Sequence, residues 1–422
     1  MEQHRVVVTG MGVVSPIGIG VGTFWDAVQN GISGTKRVDE RIDLAGIPCK
    51  IGAPVEDFAP DVVREMGRNP RKLDRAAQMT LVAAREALAD AGLALDRVDL
   101  DRVGVIVGTG IGGIQSLAEN HEIFLRQGPD RVSPRFISQL MPNSLAAEIA
   151  LTFGFRGINF GVVTACASAN HAIGLAGELL RGGFADIVLA GGGEAAMIPV
   201  TYAGFARAGA LSQRNDEPER ASRPFDRDRD GFVLGEGAGI LVLETVAHAR
   251  ARGARARAEL LGFGMTDDAH HITAPDPEGR GAQDAMARAL RQAGVSPPEV
   301  DYINAHGTST PLNDRIETLA IKALFGDHAH RLSISSTKSQ TGHLLGAAAA
   351  VEAVATILAI EEDLVPPTIN CDHPDPDCDL DFTPHRPVPR RVNIALSNAF
   401  GFGGHNAVLV LGKAREGRVT DG

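Results

Sequence analysis

Four short segments carry side chains able to do chemistry. Cys166 stands in Thr164-Ala165-Cys166-Ala167-Ser168-Ala169-Asn170, just before a helical run over residues 171–180. A thiol at a helix start faces free backbone N–H groups and the positive end of the helix dipole, and both favour the thiolate. His306 follows a strand-like run and is itself followed by Gly307, Thr308, Ser309 and Thr310. His343 closes Ser336-Thr337-Lys338-Ser339-Gln340-Thr341-Gly342 and opens onto an alanine-rich helix. The fourth segment is Phe400-Gly401-Phe402-Gly403-Gly404-His405-Asn406. Its glycines let backbone N–H groups approach a ligand closely, as an oxyanion hole requires. Singly, each segment has an ordinary structural explanation: a buried thiol, two polar turn residues, a β-turn. Together they supply a nucleophile and two imidazoles able to donate protons or hydrogen bonds.

Strand-like and helical runs alternate along the chain, and their order decides where these residues sit. Strands are predicted over residues 6–9, 103–107, 187–190, 240–243, 302–305, 332–335, 393–396 and 407–411. Leu73, Ala77, Leu81, Ala84 and Leu88 share one face at helical spacing. The pattern is α/β, with strands buried on both faces. A histidine at a strand end is placed on the loop side of the sheet, where open α/β sheets bind ligands. A short internal repeat points to duplication. Ala87, Leu88, Ala91, Gly92 and Leu93 are matched by Ala289, Leu290, Ala293, Gly294 and Val295, and each half has an alanine-rich helix near its middle. The reading is one half over residues 1–255 carrying the thiol, a second over 256–412 carrying both histidines, and a short tail over 413–422. Insertions around 115–150 and 195–230 enlarge the first half.

With 44% hydrophobic and 22% charged residues among 422, the chain can build a core and is not disordered. The longest apolar run, residues 344–360, is broken by Glu352 and rich in alanine, so it reads as a buried helix rather than a membrane span. No charged-then-apolar leader opens the chain, and Cys49, Cys166, Cys371 and Cys378 have no framework spacing. A reducing cytoplasm is the expected compartment. A formal net charge of −11 gives no basis for nucleic-acid binding. Gly10-Met11-Gly12 and Gly108-Thr109-Gly110 are like dinucleotide loops, but the first continues Val13-Val14-Ser15 without the third glycine. Cys371, His373 and Cys378 offer three zinc donors without a paired Cys-x-x-Cys and read as a plain surface loop. Asp267, Asp268, His270 and His271 read as a solvated turn, and residues 226–230 as a salt-linked loop.

In order and spacing, the four blocks resemble the β-ketoacyl synthases of the thiolase fold, and among them the elongating 3-oxoacyl-[acyl-carrier-protein] synthase II type. The likeness runs from Val6-Val7-Val8-Thr9-Gly10-Met11-Gly12 to the last strand near Leu411. It implies duplicated halves in a five-layered α-β-α-β-α arrangement, an obligate dimer and an acyl carrier protein as partner. It implies that Cys166 takes the acyl chain, with the N–H groups of Cys166 and Phe400 as oxyanion hole. His306 and His343 would bind the malonyl thioester carbonyl and stabilise the enolate left when carbon dioxide departs. Lys338 would brace the site through Glu317. Thr308 and Thr310 would hold the pantetheine arm, with His271 and Thr273 near the tunnel mouth. Phe400 would gate an acyl pocket lined by Ile111, and Arg71, Lys72 and Arg207 would contact the carrier. No cofactor or metal is expected, because loss of carbon dioxide drives the bond formation.

Related chemistries are separable by residue. Degradative thiolases carry a second active cysteine in the C-terminal glycine loop, which has none here. Initiating synthases typically have Asn where this chain has His343. Chain-length subunits usually replace the nucleophile, and Cys166 is present. A catalytic ketosynthase subunit of a type II polyketide system, paired with such a Cys-lacking partner, shares the same residues and stands as the alternative to fatty-acid elongation. His405, where many members have Thr, departs from the pattern beside the gate.

Overall fold

The computed structural model describes residues 5–414; the rest of the tail lies outside the described residues. The main strands are β1 Val6–Ser15, β2 Val103–Gly108, β3 Asn159–Val162, β4 Ile187–Glu194, β5 Gly237–Thr245, β6 Ala258–Asp267, β7 Tyr302–Asn304, β8 Ser333–Ser335, β9 Ile394–Gly401 and β10 His405–Lys413. The main helices are α1 Arg75–Asp90, α2 Ile114–Gln127, α3 Ser144–Phe153, α4 Ser168–Arg181, α5 Pro199–Arg207, α6 Arg280–Ala293, α7 Pro311–Phe325 and α8 Ala348–Glu362.

The first five strands lie in the order β3-β2-β4-β5-β1 and the second five in the order β8-β7-β9-β10-β6, the same path twice. In each set two pairs are parallel, β2 with β3 and β4 and β7 with β8 and β9. The other pairs are antiparallel. The sets join where Val6, Val7 and Val8 pair with Leu260, Glu259 and Ala258. Helix α4 packs on β4 and β2 from one side and on β10, β6 and β9 from the other, while α8 touches both β5 and β9. Helices α1 and α3 cover the first sheet and α6 and α7 the second. The result is an α-β-α-β-α stack. Every residue of α8 from Ala348 to Ile360 is buried, as a helix apolar on all sides must be.

The duplication extends further than the helix ends that the sequence exposes. A Cβ on Gly10 would lie 2.2 Å from the Ala87 carbonyl oxygen, and one on Gly12 would lie 2.0 Å from that of Ala83. In the second half, Cβ atoms on Gly262 and Gly264 would lie 2.3 and 2.0 Å from the carbonyl oxygens of Ala289 and Ala285. Each half therefore seats its outer helix on a Gly-x-Gly strand, with alanines facing glycines at backbone contact distance. Gly10-Met11-Gly12 is a packing device, not a phosphate loop. Gly92 and Gly294 (φ 58° and 67°) then end the two helices in the left-handed region.

Some expectations need correction. Strands β3 and β6 escape the sequence reading because β3 is a short, half-exposed edge and β6 is interrupted by its two packing glycines. Cys371 and Cys378 are not on a surface loop; both are buried in the second half's core with Phe225 and Phe382. The 226–230 segment is salt-linked as expected, and is in addition buried in part. There Arg229 reaches Asp375 at 2.6 Å and Arg223 reaches Asp226 at 3.1 Å.

Because neither Cβ can be accommodated without displacing a helix backbone, Gly12→Ala and Gly264→Ala are each expected to cost about 3 kcal/mol or more. The midpoint of thermal denaturation should fall in both variants, while alanine at open Gly22 leaves it within a degree or so.

Candidate active site

Cys166 sits on the turn between β3 and α4, two residues before the helix. Ala165 is held in the left-handed region (φ 49°), a conformation that costs about 1–3 kcal/mol and survives only where neighbours enforce it. Ser168 supplies that enforcement. Its hydroxyl accepts the Thr164 N–H at 2.9 Å and lies 2.6 Å from the Ala165 carbonyl. His343 occupies the matching position in the second half, on the turn that leads into α8. Its Nδ1 accepts the Leu345 N–H at 3.2 Å, so Nε2 carries the proton and donates it toward Cys166 Sγ at 3.1 Å. His306 follows β7, and its ring centre lies 5.4 Å from that of His343 with the planes at 83°. One ligand atom from each of the three residues falls within 4.8 Å of the others.

Glu317 fixes the His306 turn by accepting the N–H groups of His306 and Gly307 at 2.9 and 2.8 Å, and the Asn398 amide at 3.1 Å. This corrects the expected pairing of Glu317 with Lys338. The Lys338 ammonium instead donates to Glu352, and both are almost wholly buried. The sequence held the clue: a lone carboxylate inside an all-buried alanine helix needs a buried partner. A second carboxylate that sequence reasoning missed is Glu194, at the end of β4. It accepts from Gly110 N–H at 2.5 Å, Thr109 hydroxyl at 3.1 Å and Gly346 N–H at 3.1 Å, tying the first half to the turn after His343. Burial raises both Glu194 and Glu317 to about 7.

Burial and then the Lys338 ammonium hold His306 and His343 well below the usual imidazole range, so both are neutral at pH 7. They serve as uncharged hydrogen-bond donors. Cys166 opens onto a cavity but lies deep in the molecule, and burial pushes its thiol up to about 12 against the pull of Lys338 and of the Phe402 N–H. Desolvation at this depth opposes the thiolate that the helix start favours.

The cavity, about 540 Å³, is lined by Cys166, His306 and His343. Ile111, Phe205 and Phe232 make an apolar wall, while Thr308, Thr310, Asn313 and Thr273 supply polar groups. Thr308 and Thr310 share a hydroxyl contact at 2.9 Å, and Thr310 also caps α7. Phe400 lines the cavity with its ring 5.8 Å from that of His306, but the backbone N–H that reaches Cys166 Sγ is that of Phe402. Phe400 lies within the ladder opposite Asn406, whereas Phe402 forms the tip of the hairpin. The second backbone donor therefore belongs to Phe402. His271 does not line the cavity; its Nδ1 accepts the N–H groups of Thr273 and Ala274, both at 3.1 Å, and so shapes the loop that does. His405 lies 3.5 Å from Asp267. Arg71, Lys72 and Arg207 are exposed with no ion-pair partner among the described residues, and Arg207 ends α5 beside cavity-lining Ala208 and Gly209. Their neighbours Arg64, Arg68 and Arg75 pair with Asp61, Glu148 and Glu236.

A thiol beside two neutral imidazoles in a duplicated five-layer fold is equipped for acyl-thioester chemistry, and comparison with known proteins makes the class specific. Residues 3–249 match the model of the beta-ketoacyl synthase N-terminal domain and residues 257–372 that of the C-terminal domain. The chain belongs to the β-ketoacyl synthase family. It is 49% identical to a 3-oxoacyl-[acyl-carrier-protein] synthase 2 of Synechocystis sp. and 47% identical to that of Coxiella burnetii, in each case over 98% of this chain and 99% of the relative. Among solved structures, the ishigamide ketosynthase/chain length factor superposes with a TM-score of 0.91 at 40% identity. A beta-ketoacyl synthase from Burkholderia phymatum gives 0.90 at 36%. Each covers 98% of this chain and 100% of the solved one.

With the thiol near 12, its thiolate fraction grows tenfold for each pH unit below that value. Alkylation of the free enzyme at Cys166 by iodoacetamide should accelerate about tenfold per unit from pH 7 to 9 without levelling off. A plateau near pH 8 would show a thiol activated before substrate arrives.

Proposed function

We propose that the protein elongates acyl chains by decarboxylative Claisen condensation with malonyl-[acyl-carrier-protein], in fatty-acid synthesis. The observation that carries this is the Nε2–H of His343 aimed at Cys166 Sγ at 3.1 Å, with neutral His306 beside them in the same cavity.

In the first half-reaction Cys166 Sγ attacks the thioester carbonyl of an acyl-carrier protein. The thiol proton leaves with the departing pantetheine sulfur, and the carbonyl oxygen collects charge between the N–H groups of Cys166 and Phe402. The elbow at Ala165 and the α4 dipole act at the moment the sulfur releases its proton. In the second, the malonyl thioester oxygen lies against the imidazole N–H groups. Carbon dioxide departs, its bonding electrons form the enolate, and neutral donors stabilise that charge without protonating it to an inert acetyl group. The enolate carbon attacks the acyl-Cys166 carbonyl and Sγ is expelled, taking up one proton. The product is a 3-oxoacyl thioester two carbons longer. Cysteine suits the exchange because the bond broken and the bond formed are both thioesters. No resident cofactor enters any step.

Ile111, Phe205 and Phe232 would receive the acyl chain, and Thr308 and Thr310 the pantetheine arm. Arg71, Lys72 and Arg207 are suited to an acidic carrier, since a net-acidic enzyme needs a local patch of unspent positive charge to dock one. A solved relative at 37% identity and TM-score 0.89 is a type II polyketide acyl-carrier protein in complex with its ketosynthase, which supports a carrier as partner. A dimer and a cytoplasmic location follow from the same reading; no helix among the described residues is long and apolar enough to cross a membrane. The polyketide ketosynthase reading draws support from that complex and from the ishigamide relative, but the higher identities to synthases named for 3-oxoacyl-carrier products favour fatty-acid elongation.

Incubation with carrier-bound acyl chains should add the acyl mass to the wild-type protein and none to Cys166→Ala, as read by intact-mass spectrometry. His343→Ala should lower malonyl decarboxylation by about 10²-fold or more while self-acylation falls less; the reverse order contradicts the assignment. Chain lengths that load will report pathway.

Charge reversal at the docking surface gives a separate check. Arg71→Glu with Lys72→Glu should raise KM for carrier-bound substrates about tenfold or more and leave turnover of small thioesters unchanged. Equal losses on both substrates remove the docking role.

A further inference from the structure

Among the described residues, the group of His, Cys, Asp and Glu side chains close enough to share an ion is Cys166, His306 and His343, whose donor atoms lie within 4.8 Å of one another. We propose that these three residues also form an inhibitory binding site for a soft divalent cation, zinc in particular, whose occupancy silences the enzyme. This goes beyond the condensation assigned above, in which no metal takes part.

Two imidazoles and a thiolate are the ligand types zinc prefers. In a tetrahedral site with Zn–S near 2.3 Å and Zn–N near 2.0 Å, the ligand atoms stand about 3.3–3.6 Å apart. The Sγ–Nε2 separation is already 3.1 Å, and the remaining separations need shifts of about 1 Å, within reach of small side-chain rotations. All three residues line the cavity, which leaves the fourth position for water. The His306 ring is buried and its Nδ1 has no hydrogen-bond partner, so nothing fixes its tautomer and it can present a lone pair without losing a bond. His343 is less free. Its Nδ1 accepts from Leu345, so coordination through Nε2 moves the ring proton to Nδ1 and gives up that 3.2 Å bond. The local field permits a cation: the nearby Lys338 ammonium is bound to Glu352, and the Glu194 carboxylate acts on the sulfur with opposite sign.

Binding is a proton exchange with no change of oxidation state. The Cys166 S–H bond breaks, an S–Zn bond forms, and one proton is released to solvent. Zinc takes the place of that proton, so binding is favoured as the pH rises. A sulfur bonded to zinc cannot attack a thioester, and a sulfur carrying an acyl chain cannot give a thiolate to zinc. Metal and acyl chain therefore exclude one another.

The test uses the full chain, reduced and metal-free, titrated with Co²⁺ as a coloured stand-in and then with Zn²⁺. The expected result is one equivalent of Co²⁺ per chain, a near-ultraviolet thiolate-to-cobalt band, and loss of that band as Zn²⁺ displaces cobalt. Prior acylation of Cys166 should abolish binding. Zn²⁺ should slow alkylation of Cys166 and inhibit condensation, and EDTA should restore both. Cys166→Ala should show no band, with Cys166→Ser used if the alanine variant does not fold. His306→Ala should weaken binding about tenfold or more, with His306→Gln as the alternative. The proposal is overturned if no cobalt spectrum appears at large excess, if the band survives in the Cys166 variant and so belongs to Cys49, Cys371 or Cys378, or if affinity is unchanged in the His306 variant, which would mean a lone thiolate adduct.

Discussion

The chemistry of this molecule turns on a single long-range contact, the 3.1 Å approach of His343 Nε2 to the sulfur of Cys166, 177 positions away in the chain. Neither residue can be brought there by its own half. Cys166 precedes α4 and His343 precedes α8, and the two helices meet only because both are sandwiched between sheets that repeat one strand order. Glycines on the strands facing these helices set how near the layers come: a Cβ on Gly239 would lie 2.8 Å from the Ala350 carbonyl carbon of α8, and one on Gly108 would lie 2.5 Å from that of Ser168 in α4. Duplication has given one fold two equivalent turns, one occupied by Cys166 and the other by the histidine that meets its sulfur.

Burial then sets the electrostatics. Taking imidazoles out of water makes them neutral donors, suited to an enolate, whereas an imidazolium would protonate it. The necessary charges are kept in matched pairs or fully hydrogen-bonded. Lys338 and Glu352 neutralise one another beneath the site, and Glu194 and Glu317 spend their oxygens on backbone N–H groups that shape the turns around Ile111 and His306. Breaking one member of such a pair leaves an uncompensated charge, which is why buried partners are more costly to lose than their separation suggests.

Most of the strands and the three segments that bring Cys166, His306 and His343 together were legible in the sequence, because strand ends, helix starts and glycine turns announce themselves locally. What escaped had no local signature. Glu352 was visible only as a break in an apolar run, and that Lys338 pairs with it rather than with Glu317 depends on how α8 is rotated. Phe402 and Phe400 differ by two positions in a glycine turn, and only the hairpin register decides whose N–H meets the sulfur. The same is true of Cys371 and Cys378, which sit in a loop rich in Pro and Asp yet are folded into the core. The helix-start argument for Cys166 named one influence on the sulfur; the opposing one, burial, is not visible in a sequence.

That depth has a consequence for the enzyme between turnovers. Burial holds the Cys166 sulfur largely protonated at pH 7. Hydrogen peroxide consumes thiolates, not thiols, on the path to sulfenic and sulfinic acids. The desolvation that delays ionisation therefore also slows the oxidation of an idle copy.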